Sequence, residues 1–65
     1  MDRRRVKQEL MQASKEIEVA LSRVTWMLEI FMQAGKDDYV TFLDGLAQIL
    51  YFAMNELKDF VDRFI

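Results

Sequence analysis

Gly35-Lys36-Asp37-Asp38 is the stretch that decides the fold. It is the clearest interruption in a chain of 65 residues that has no proline and only one other glycine, Gly45. Gly35 suits the left-handed backbone position that ends a helix, and Asp37 or Asp38 suits an N-cap whose carboxylate accepts backbone N–H bonds. Asp2 suits the same role at the start of the chain. The spacing predicts a helix over about 3–34, a turn at 35–38 and a second helix over about 38–64, as one domain spanning 1–65.

Outward from that turn, apolar residues recur in steps of three and four on both sides. Val6, Leu10, Ala13, Ile17, Ala20, Val24, Met27 and Phe31 form one stripe; Tyr39, Leu43, Leu46, Leu50, Ala53, Leu57, Phe60 and Phe64 form the other. A 3.5-residue period is the mark of coiled-coil-like packing. Folding the chain back at Gly35 pairs residues whose numbers sum to 70, so that Ala13 meets Leu57, Ile17 meets Ala53 and Ala20 meets Leu50. Small side chains opposite large ones let two helices approach at native density. The expected fold is all-α: an antiparallel helix-turn-helix hairpin, dimerising into a four-helix bundle.

Dimerisation is expected because sixteen seam residues do not exhaust the apolar content, which is 52% of the chain. Along one flank of the seam lie Leu21, Leu28, Met32, Val40, Ala47, Tyr51, Met54 and Val61, extended by Met11 and Ile65. Along the other, near the turn, lie Val19, Trp26, Ile30, Phe42, Ile49 and Phe52. A domain of about 60 residues buries only about 60% of its unfolded surface. With no cysteine for disulfides and no histidine for a metal site, self-association is the remaining way to supplement the core. The first flank runs the full length of the hairpin and is assigned to the self-interface of a homodimer or tetramer. The second, turn-proximal flank is the candidate patch for a further protein partner.

The charge pattern narrows the function classes. Nine Lys and Arg stand against eleven Asp and Glu, net −2, so no whole-chain attraction to nucleic acid is expected. The basic residues Arg3, Arg4, Arg5 and Lys7 form a tip that could contact phosphates; the plainer expectation is a solvated helix start whose charges meet Asp59 and Asp62 at the other end of the hairpin. Nucleic acid is therefore the alternative partner and not the leading one. A membrane partner is not expected: Phe42–Met54 is short and carries Asp44 and Gln48. The default expectation is a soluble, cytoplasmic chain.

Catalysis finds no support. Glu16, Glu18, Glu29, Glu56 and Asp59 lack the histidines and the paired Glu-x-x-Glu element that helical metal sites use, and read as solvated faces. Ser14, Ser22, Thr25 and Thr41 have no histidine or cysteine to activate them. No catalytic residue, metal or cofactor is expected. In plan alone, the chain resembles small dimeric helical hairpins and the hairpin chaperones of bacterial secretion systems; no motif is shared, so no residue roles follow from the likeness. The expected function is a non-enzymatic, homo-oligomeric module for protein–protein interaction, regulatory or adaptor in kind. The alternative is a small nucleic-acid-binding regulator that uses the basic tips.

Overall fold

A computed structural model describes residues 2–65. Two helices, α1 (Arg3–Gln33) and α2 (Asp37–Phe64), pack against each other, and there is no strand among the described residues. The hairpin measures 49 × 15 × 13 Å, the length expected of about thirty residues rising about 1.5 Å each.

The helix ends follow from their sequences with one exception. Asp2 caps α1: its Oδ1 accepts a hydrogen bond from the Arg4 N–H at 3.0 Å. Gly35 has φ +72°, the left-handed conformation that costs an L-residue most and glycine least. There the Gly35 N–H donates to the Met32 carbonyl at 3.2 Å and the Lys36 N–H to the Phe31 carbonyl at 3.0 Å. That pair of bonds satisfies the last carbonyls of α1 and reverses the chain within two residues. The exception is the start of α2. Lys36, not Asp37 or Asp38, occupies the N-cap position, and no side chain caps it. Asp37 and Asp38 fall inside the first turn, where negative charge meets the positive end of the helix dipole.

The antiparallel register is seen directly at the turn end, where the Phe31 and Tyr39 rings lie 5.1 Å apart. Twelve of the sixteen seam residues are half-buried as expected, but the covered strip is shifted to one side. Met27, Tyr39, Phe60 and Phe64 were placed in the seam and are exposed. Leu21, Leu28, Val40, Ala47 and Val61, placed beside it, are half-buried, and Met54 is the most buried apolar residue, at 8% exposure. The contact is thus turned toward the first flank. Two cylinders touch along a narrow strip, and the small Ala13, Ala20 and Ala53 let them close on it. A strict seven-residue pattern also drifts about 20° per heptad on a straight helix. Large side chains at the margin, such as Phe60 and Phe64, are left outside, where those two rings lie 5.1 Å apart, tilted by 38°.

Candidate interaction surfaces

No side chain among the described residues is fully enclosed. A two-helix contact covers each residue from one side only, so even Leu10, Ile17, Leu50 and Leu57 stay half-buried. The accessible surface is 5477 Å². A compact monomer of 7.8 kDa exposes about 4,400 Å², so the hairpin carries an excess of about 1,100 Å². A standard interface covers about 800 Å² per partner. The radius of gyration is 15.0 Å, against about 11 Å for a compact domain of this length.

The first flank forms a groove between the helices. At the end of the hairpin that carries the chain termini, its floor is Leu10, Met11, Ser14, Leu57 and Val61, and its rim carries Lys7, Lys15, Lys58, Glu18 and Asp62. Of the eight residues assigned to a self-interface, six are partly covered by packing within the hairpin; Met32 and Tyr51 remain exposed, Tyr51 at 56%. Ser14 is a residue of this groove that sequence reasoning passed over as an unactivated hydroxyl. It is 6% exposed, and its Oγ is buried with no hydrogen-bond partner. The signal was present in its spacing, seven residues before Leu21 and fourteen before Leu28, which continues the same stripe.

The second flank is more open and is not one cluster. Phe42 is 70% exposed and shares a stripe with Ile49, seven residues on, with Ile30 beside them from α1. Trp26 lies two residues from Val24 and from Leu28, and two residues rotate a helix by about 200°, so it sits on the outer face of α1 with Val19. From there it borders a shallow depression with Thr25, Glu29 and Met54, on the first-flank side. Phe52, two residues from Leu50 and Met54, sits on the outer face of α2. The six residues therefore occupy separate places on the hairpin. Short spacings in sequence put them near the turn, but the helical phase divides them.

At the basic tip, Arg3, Arg4, Arg5 and Lys7 are exposed. The expected pairing with acidic residues of α2 is not formed. The only ion pair among the described residues joins Arg63 Nε to Asp59 Oδ1 at 3.0 Å within α2. Among the described residues no group of three potential metal ligands comes together, and no helix is long and apolar enough to cross a membrane.

The fold thus defines the class: an all-helical hairpin of two helices. No protein-family model, curated protein or solved structure matches the chain.

Proposed function

We propose that the chain is a non-enzymatic helical-hairpin module that self-associates, with the four-helix bundle of a homodimer as its smallest assembly, and acts by binding protein. The observation that carries this reading is the absence of any enclosed side chain among the described residues, together with the surface excess of about 1,100 Å². A domain's stability is only about 5–15 kcal/mol, and burying one large apolar side chain contributes roughly 1.5–3 kcal/mol. Of the thirteen large apolar residues left exposed, a second copy on the first flank covers Met11, Met32 and Tyr51, together with the half-buried residues between them, and the others remain for a further partner. Sedimentation equilibrium at micromolar concentration tests it. A dimer or tetramer is expected; a folded, soluble monomer overturns it.

A second reading, a nucleic-acid-binding regulator, is favoured by one observation: Arg3, Arg4, Arg5 and Lys7 are without a carboxylate partner among the described residues. Four phosphate contacts would give binding that falls steeply with salt. The triple change of Arg3, Arg4 and Arg5 to Gln should then abolish retention of RNA or DNA at low salt, and absence of retention by the unaltered protein dismisses this reading.

A further inference from the structure

The first-flank groove is electrically lopsided. Near the chain termini it carries Lys7, Lys15 and Lys58 against Glu18 and Asp62. Toward the turn the same flank carries Glu29, which borders the depression over Met54, and Asp44, on the face of Val40 and Ala47 by its three- and four-residue spacing. Lys7, Lys15, Lys58 and Asp44 are all exposed. One end of the groove is therefore net positive and the other net negative.

We infer that this groove receives a second copy of the same chain, head to tail, with the turn of one hairpin over the chain termini of the other. The inference rests on the self-association proposed above and specifies its geometry. A two-fold axis along the hairpin would lay α1 on the partner's α2, bringing Lys58 near Lys15 and Asp44 near Glu29, with Lys7 near Asp62 as its one opposite-charge pair. An axis across its middle sets each end on its opposite, and like charges at an interface are what orientation selects against.

The register follows from the apolar residues. In the head-to-tail arrangement each helix lies on its own copy, running the other way. Apolar partners meet where residue numbers sum to 39 on α1. With the Phe31–Tyr39 contact fixing the register within one hairpin at a sum of 70, the corresponding sum on α2 is 101. Met11 then meets Leu28, Ala47 meets Met54, and Val40 meets Val61. The same register puts Lys58 beside Asp44 and drops Glu29 between Lys7 and Lys15.

The chain has no cysteine, so single-cysteine variants report the arrangement cleanly. Lys7→Cys, Met32→Cys and Asp62→Cys all fall at exposed positions. Mixed and oxidised, the Lys7→Cys and Met32→Cys proteins should form a mixed disulfide dimer, and the Lys7→Cys and Asp62→Cys proteins should not. The Lys58→Asp change should weaken the dimer about tenfold, and adding Asp44→Lys to the same chain should restore it. Linkage of the Lys7→Cys and Asp62→Cys proteins, no mixed linkage at all, or no restoration by the charge swap, in a protein that still sediments as a dimer, overturns the head-to-tail groove and leaves self-association standing. A monomeric unaltered protein overturns both.

Discussion

Replacing Gly45 with alanine should stabilise the protein, and the size of the effect can be worked from the structure. Gly45 lies in the interior of α2, two residues from Leu43 and from Ala47, both half-buried, so it faces outward. A Cβ built there meets nothing within 4 Å. The change therefore adds no clash and recovers the helix propensity that glycine forfeits, about 0.8–1.0 kcal/mol. Unfolding entropy near the midpoint is about 2.1 cal/mol/K per residue, hence about 140 cal/mol/K for this chain. The melting midpoint should rise by about 7 °C. In a homodimer both the gain and the entropy double, so the shift is the same at a fixed protein concentration. Far-UV circular dichroism melts of the two proteins at matched concentration measure it, with sedimentation to check that the dimer's affinity is unchanged. A midpoint that stays put or falls would mean that the new methyl group meets something. That something could only be a neighbour on the outer face of α2, and the assignment of the self-interface to the first flank would then fail.

Three further outcomes are expected. Tyr51 is exposed in the hairpin yet meets its own copy within about one residue of the proposed two-fold axis, so Tyr51→Glu should leave each hairpin helical while setting two carboxylates together; at about 6 Å and an effective dielectric of about 20 the repulsion is about 3 kcal/mol, a rise in dissociation constant of at least a hundredfold by sedimentation. Asp2→Ala removes the bond to the Arg4 N–H and should cost about 1 kcal/mol, read as a drop of several degrees in the melting midpoint. At Gly35 the left-handed backbone alone sets the cost, since a Cβ there meets nothing; stability in denaturant titration should fall in the order Gly, Asn, Ala, with alanine about 1–2 kcal/mol below glycine.

The two helices, the turn between them and their register were legible in the residues themselves. Asp2, Gly35 and the three-four spacing act through local backbone geometry, which neighbouring residues largely dictate, and the structure places the cap, the left-handed residue and the Phe31–Tyr39 contact accordingly. The start of α2 was misplaced by one residue because Lys36 can stand at the boundary once Gly35 has already reversed the chain. What the pattern left open was rotation. A heptad stripe names the residues that can face a partner helix, but not how far each helix turns about its own axis, since that depends on how closely the two backbones approach. Packing over Ala13, Ala20 and Ala53 turned the contact toward Met54 and away from Phe60 and Phe64, separated Trp26 from Phe52, and left the Ser14 hydroxyl buried and unpaired. Side-chain volumes compete across the interface simultaneously, so only the assembled pair of helices decides which apolar surface is spent within the chain and which remains for a partner.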